Sequence, residues 1–208
     1  MKQAPRKALG AVRIIAGQWR GTRLPVADLP GLRPSSDRVR ETLFNWLMPV
    51  LPGARVVDLF AGSGALGLEA VSRGASHATL VERDPALCTA LQASVQRLDA
   101  QARVEVVRAD ALGWLQRGGG AGCTLAFVDP PFEQGMAAEL PALLARAMGI
   151  GSWLYVESAR GSEALVPRGL WRLHREGSTR EVHFALYRAV DQGAADTLGG
   201  DASVAGPE

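Results

Sequence analysis

A chain of 208 residues has room for one sizeable hydrophobic core but not for two full domains. Its 47% hydrophobic and 21% charged residues are the balance of an ordinary globular protein, and no apolar run nears the roughly 20 residues that cross a bilayer, which excludes a membrane-spanning chain. The formal charge of +2 understates the basic character, because Asp191, Asp196, Asp201 and Glu208 share a terminal stretch without Lys or Arg; the rest is distinctly basic, above all before residue 40, which fits a polyanionic partner.

The first elements are read over residues 12–26, VRIIAGQWRGTRLPV, as two short strands around a turn from Gly17 to Gly21. A helix follows, capped by Ser35 or Ser36, with Val39, Leu43, Phe44 and Leu47 on one face and Pro49 and Pro52 ending it. Apolar runs then alternate with helical patterns. The runs are RVVDLF (55–60), ATLVE (78–82), VEVVRA (104–109), LAFVD (125–129) and WLYVES (153–158), and the helices begin near Gly64, Pro85 and Ala111, with another over about 136–148. Strands this apolar are covered on both faces, so βαβ repetition around a parallel sheet is expected. LWRLHRE (170–176) and EVHFALYRA (181–189) are separated only by Gly177 to Arg180, too short a link for a parallel crossover and suited to an antiparallel hairpin at the sheet edge. The expected architecture is α/β and Rossmann-like, with a mainly parallel sheet of seven strands and a small N-terminal hairpin. Residues 1–30 form a basic arm and hairpin, 31–190 the main domain, and 191–208 an acidic tail too poor in large apolar side chains to order.

The first strand of the main sheet runs into VVDLFAGSGALGLEA. A glycine-rich turn at the carboxyl end of such a strand lets backbone N–H groups approach a ligand at a helix N-terminus. Gly62, Gly64 and Gly67 match the G-x-G-x-x-G dinucleotide fingerprint, and Glu82 closes the next strand where a ribose-binding acid is expected. Both NAD and S-adenosylmethionine are therefore candidates. Asp58, just before the turn, would repel a pyrophosphate but suits the ammonium and sulfonium of S-adenosylmethionine, which favours the methyl donor. Asp110, with Ala111 after it, closes the third strand and suits an adenine amino group, unless Asp110 merely caps the helix that follows.

The fourth strand ends in Asp129-Pro130-Pro131-Phe132. Two prolines fix φ and remove two N–H donors, so the Asp129 carboxylate and the neighbouring carbonyls form an acceptor-only corner that recognises N–H donors. Accepting both protons of an exocyclic base amine would turn its lone pair toward an electrophilic methyl group, so catalysis would be alignment for in-line transfer. Phe132 supplies a flat face for stacking an extruded base. Arg13, Trp19, Arg20 and Arg23 in the hairpin combine phosphate-binding charge with one aromatic ring, as an RNA arm would, although Trp19 would equally dock the hairpin onto the domain. His77, His174 and His183 lack metal-ligand spacing, so no metal is expected. Cys88 and Cys123 are expected to be reduced thiols, and the chain cytoplasmic, because nothing resembles a signal peptide.

VVDLFAGSGALGLEA, Glu82, Asp110 and DPPF together resemble the class I methyltransferases that modify amino nitrogens. RIIAGQWRGTRL (13–24) and RPSSDRVRETLFNWL (33–47) further resemble the bacterial 16S ribosomal RNA guanine-N2 methyltransferases, whose more usual Thr is Ser35 and Ser36 here. The resemblance implies an S-adenosylmethionine-dependent enzyme acting on 16S RNA or an assembling 30S subunit; nothing in the sequence demands more than a monomer. It also implies that the helix from Ser36 packs over the cofactor, with Arg38 near the cofactor carboxylate or a substrate phosphate; Arg40 is a further candidate for RNA contact, and both arginines would otherwise be surface helix charges. Rival readings are an adenine-N6 DNA or protein-glutamine methyltransferase and, on the glycine fingerprint alone, an NAD-dependent oxidoreductase.

Overall fold

The computed structural model describes residues 10–26, 36–131, 138–161, 166 and 169–191. Ser35, Phe132 and all but the first residue of the acidic tail, together with residues 1–9 of the basic arm, lie outside the described residues. Strands β1 (Gly10–Arg13) and β2 (Arg23–Val26) pair antiparallel as a hairpin. Helix α1 (Asp37–Leu47) follows, and then β3 (Arg55–Asp58), α2 (Ala65–Ser72), β4 (His77–Glu82), α3 (Pro85–Arg97), β5 (Val104–Arg108), α4 (Ala111–Gln116), β6 (Leu125–Val128), α5 (Leu140–Met148), β7 (Trp153–Ala159), β8 (Trp171–Ser178) and β9 (Val182–Ala189). No helix among the described residues is long and apolar enough to cross a membrane.

The main sheet has seven strands in the order β5-β4-β3-β6-β7-β9-β8. β5, β4, β3, β6 and β7 are parallel to one another, and β9 and β8 join antiparallel. Both faces are covered, which is why the central strands read as continuous apolar runs. One core joins Val56, Leu80, Leu125, Phe127, Tyr155 and Phe184 to α1, α2 and α3; the other joins Val57, Val81, Ala126, Val128, Leu154 and Trp171 to α4 and α5. Ser36 caps α1, its Oγ accepting from the Val39 N–H at 3.3 Å. The final hairpin turns later than its sequence suggests. A bulge between Leu173 and Arg175 lets β8 run through Ser178, and the Thr179 hydroxyl accepts from the Glu181 and Val182 N–H groups to close the turn.

The N-terminal hairpin is clamped to α2 by groups that carry no hydrophobic signal. The buried Glu69 carboxylate accepts from the Ile15 N–H at 2.7 Å and the Ala16 N–H at 3.0 Å, and pairs with Arg73 at 2.6 Å. Ser72 accepts from the Trp19 N–H at 2.9 Å and donates to the Ala16 carbonyl at 2.7 Å. Gly17, at φ +84°, sits so close that a Cβ would overlap the Ser72 carbonyl.

Two of the expected RNA contacts are corrected by this docking. Arg40 is fully buried: its Nη2 donates to the Arg13 carbonyl at 2.9 Å and to Asp37 at 2.6 Å, and its Nη1 lies 3.8 Å from Glu69. It ties α1 to the hairpin and to α2, so it is not a surface charge. Trp19 is only 7% exposed and packs with Ile14 and Leu24 in the α1–α3 core, with the Arg103 guanidinium over its ring. It anchors the hairpin and offers no open stacking face. A charge count cannot separate an arginine that meets solvent from one that neutralises a buried glutamate.

Removing the carboxylate would leave Arg40 facing a void, Arg73 without its close partner, and two buried N–H groups unpaired. Glu69→Ala is expected to cost about 3–5 kcal/mol and to lower the melting temperature by roughly 10 °C. Arg20→Ala, at an exposed position, is expected to change it by no more than about 1–2 °C, within the range of ordinary surface substitutions. Thermal unfolding followed by circular dichroism separates the two.

Candidate active site at the switch point of the sheet

The chain leaves β3 toward β4 on one side, and β6 continues to β7 on the other, so the carboxyl ends of β3 and β6 flank the crevice where open α/β sheets bind ligands. The two sequence motifs emerge here side by side. Asp58, the last residue of β3, is in register with Phe127 of β6, and the Leu59 N–H donates to the Phe127 carbonyl at 3.1 Å. The Asp129-Pro130-Pro131 corner thus departs from the strand next to the one that carries the glycine turn, about 4.8 Å away across the sheet. Asp129 and Pro131 are half-buried and Pro130 is buried.

The turn is built by carboxylates. Gly62 (φ +53°) and Gly64 (φ +78°) take left-handed conformations that favour glycine. The Gly62 N–H donates to Glu82 Oε2 at 2.9 Å, and Glu82 Oε1 accepts from the Asp84 N–H at 2.9 Å. Each oxygen keeps a further lone pair, so ribose hydroxyls can still donate to Glu82. Gly67 serves packing: a Cβ there would lie 2.2 Å from the Leu80 side chain, so glycine lets α2 rest directly on the sheet.

The Gly67 N–H also donates to Asp58 Oδ2 at 3.1 Å. Asp58 is 1% exposed, and its Oδ1 has no hydrogen-bond partner. Burial pushes the Asp58 pKa up to about 7; N–H groups of Gly67 and Phe60 pull it down, and the neighbouring Glu82 charge adds to the rise. An orphaned, buried carboxylate oxygen beside a glycine turn fits a ligand that brings a cationic N–H donor. Asp110 is exposed at the start of α4 and makes no capping bond, which leaves its carboxylate available to a ligand; Ala111 behind it is buried. Arg38 is exposed in the first turn of α1.

One constellation carried no obvious sequence signal. Tyr155 and Glu157, both buried on β7, face the same side, and the Tyr155 hydroxyl donates to Glu157 Oε2 at 2.8 Å. Burial holds the Tyr155 pKa well above its usual value, and the Glu157 and Asp129 charges push the same way, which puts this pair within electrostatic reach of the corner. The only clue was a glutamate two residues after a tyrosine in an otherwise apolar run.

Arg13, Arg20 and Arg23 are exposed along the hairpin. A cavity of about 290 Å³ beside it is lined by Arg13, Ile14, Ile15, Arg20, Gly21, Asp37 and Glu41, of which Asp37 is paired with Arg40. Among the described residues no group of three or more His, Cys, Asp or Glu could hold a metal ion.

Residues 12–188 match the family model described as Conserved hypothetical protein 95. The chain is 45% identical over 202 residues to the ribosomal RNA small subunit methyltransferase D of Escherichia coli strain K12, an alignment covering 94% of this chain and 99% of the relative. It is 40% identical over 189 residues to the protein of the same name from Haemophilus influenzae, covering 87% and 95%. Among solved structures, yhhF from Escherichia coli superposes with a TM-score of 0.77 at 46% identity, covering 88% of this chain and 99% of that one. An RNA methyltransferase from Salinibacter ruber, solved in complex with S-adenosyl-L-homocysteine, shares the fold at 14% identity with a TM-score of 0.59, covering 76% and 94%.

The raised pKa of Asp58 has a consequence for stability. With the folded carboxyl near 7 and the unfolded one near 3.8, the folded state holds a proton that the unfolded state has released, so stability falls as pH rises through that window. The full difference is on the order of 4 kcal/mol. Asp58→Asn removes this contribution; the melting temperature of the wild type is expected to drop relative to the variant between pH 4 and pH 8, and parallel curves would contradict the assignment.

Proposed function

The chain belongs to the Conserved hypothetical protein 95 family, with the small-subunit ribosomal RNA methyltransferases D among its close relatives, and we propose that it methylates the exocyclic N2 amino group of a guanine in 16S ribosomal RNA. The methyltransferase class and its dependence on S-adenosylmethionine follow from that membership and from the fold. An amino-nitrogen target is supported chiefly by one observation, the placement of the acceptor-only Asp129-Pro130-Pro131 corner against the glycine turn, and guanine in RNA is the member of that class that fits the resemblance of residues 13–24 and 33–47.

S-adenosylmethionine supplies a methyl group on a sulfonium, and the residues present fit it. Asp58 Oδ1 would accept from its ammonium, Glu82 from its ribose hydroxyls and Asp110 from its adenine amine, while Gly62 and Gly64 keep the turn free of side chains. The chain's own contribution is geometric. Asp129 and the Pro130 carbonyl would accept the two N2 protons, which orients the nitrogen lone pair toward the methyl carbon for in-line displacement. The proton leaves only once the nitrogen carries the methyl group and has become acidic, so no strong base is required. Phe132 would stack on the flipped-out guanine, and Arg13, Arg20 and Arg23 would hold phosphates along the hairpin. A glutamine acceptor fits the same corner but not the arginine-bearing hairpin; adenine-N6 in DNA fits both but not the small-subunit ribosomal RNA methyltransferases among the relatives; an NAD-dependent oxidoreductase fits neither the family nor Asp58.

Incubation with labelled S-adenosylmethionine and unmodified 16S RNA, 30S particles or duplex DNA is expected to give N2-methylguanosine from an RNA substrate; N6-methyladenosine would overturn the reading. Asp129→Ala is expected to lower transfer by about 10²–10³-fold, the scale of losing one aligned acceptor, while S-adenosylhomocysteine binding changes less than about twofold. Because Asp58 must ionise to meet the ammonium, that affinity is expected to weaken about tenfold from pH 8 to pH 6, measured by calorimetry, and to lose this dependence in Asp58→Asn.

A further inference from the structure

Away from the methyl-transfer crevice and apart from the hairpin, a second group of basic residues occupies the antiparallel corner of the sheet. Trp153 begins β7 in register with Leu125, the first residue of β6, so this corner lies four residues, or about 13 Å, down the sheet from Asp129. Arg188 on β9 stands opposite Trp153 on one side and opposite Arg172 on the other, and Arg175 stands opposite Leu186 on the same face. Arg172, Arg175 and Arg188 are all exposed. The Arg188 guanidinium lies over the Trp153 ring, 5.4 Å from its centroid, and His174, displaced by the β8 bulge, meets the same ring edge-on at 4.9 Å.

Two arginines directly opposed on neighbouring strands repel and destabilise the pair. None of the cross-strand positions flanking them on this face, Trp153, Tyr155, Leu186 and Arg175, carries a carboxylate. Trp153 packs against the core and holds Arg188 upright by cation–π contact, so the charge is mounted and not merely solvated. Leu173, the exposed apolar residue of β8, pairs with Tyr187 on the opposite face, which leaves this corner without the apolar centre a protein partner would need. Guanidinium groups in a row are suited to phosphate oxygens.

We infer that Arg172, Arg175 and Arg188, on the Trp153 mount, form a second contact for the RNA backbone, remote from the methyl-transfer site. The inference rests on the RNA reading of that site. A substrate that engages both the crevice and this corner must reach at least about 13 Å along the sheet.

The test uses the full chain and 16S RNA, with binding measured over a series of salt concentrations. Arg172→Ala/Arg188→Ala is expected to lose about tenfold in affinity near 0.1 M salt and to lower the slope of log affinity against log salt by about 2, about one per phosphate contact. Arg117→Ala/Arg146→Ala, which removes equal charge at exposed positions by α4 and α5 on the opposite face, is expected to stay within about twofold of wild type. S-adenosylhomocysteine binding should be unchanged in both. Equal affinity and slope in wild type and the first variant overturn the contact, as does an equal loss in the control. Arg172→Ala alone should melt no lower than wild type because it relieves a repulsion; a drop of several degrees would make Arg172 structural and overturn its assignment. If the wild type methylates no RNA, the underlying reading fails before any variant is compared, and this corner's role fails with it.

Discussion

The buried carboxylate of Asp58 sets the terms for everything around it. It closes β3 inside the sheet, gives one oxygen to the Gly67 N–H and leaves the other without a partner. A carboxylate in that condition is costly to ionise, and its raised pKa is the direct expression of that cost. A ligand that brings a positive charge and N–H donors to this oxygen recovers solvation that folding removed. Neutral pH then lies near the midpoint of the group, so ligand binding and proton release become coupled at the first strand of the sheet.

Helix α2 carries that arrangement outward. The glycine turn leads into its first residue, and its first turn supplies the Gly67 N–H; further along, Glu69 and Ser72 hold the N-terminal hairpin by backbone bonds at both Ile15 and Ala16. Eight residues of helix span only about 12 Å. The cofactor turn and the hairpin are therefore two ends of one short rigid body, and Arg40 brings α1 into it through Arg13, Asp37 and Glu69. Hairpin arginines mounted this way are tied to the glycine turn through α2.

The mainly parallel sheet, its antiparallel edge hairpin, and the glycine turn and proline corner at strand ends were legible because each rests on local chemistry: apolar runs, a short link, left-handed glycines, and prolines that cannot donate. Arg40 was misread, and Trp19 was left undecided between RNA and docking, because their roles depend on what lies across the molecule. A run of basic residues looks the same whether each guanidinium meets water or a buried Glu69, and the glutamate sits 29 positions later in a helix with no charged neighbour before Arg73. Gly67 was found through a fingerprint that assigns it to a cofactor, while its geometry shows a close approach to Leu80. Tyr155 and Glu157 went unnoticed because a polar pair inside an apolar strand is interpretable only once the neighbouring strand end is known.

The literal dinucleotide fingerprint shows why such a motif needs its surroundings. Its three glycines answer two backbone problems, a left-handed turn and close packing of helix on strand, and both are independent of what the turn binds. What discriminates is the charge placed against it. A pyrophosphate brought to the end of β3 would meet Asp58 with an oxygen already unpartnered, a repulsive contact, whereas Glu82 suits ribose hydroxyls under either reading. A sulfonium bearing an amino-acid ammonium reverses the sign at Asp58. The same turn that accepts an anion elsewhere is unsuited to one here, and the selection rests on Asp58, a carboxylate that the dinucleotide pattern does not contain.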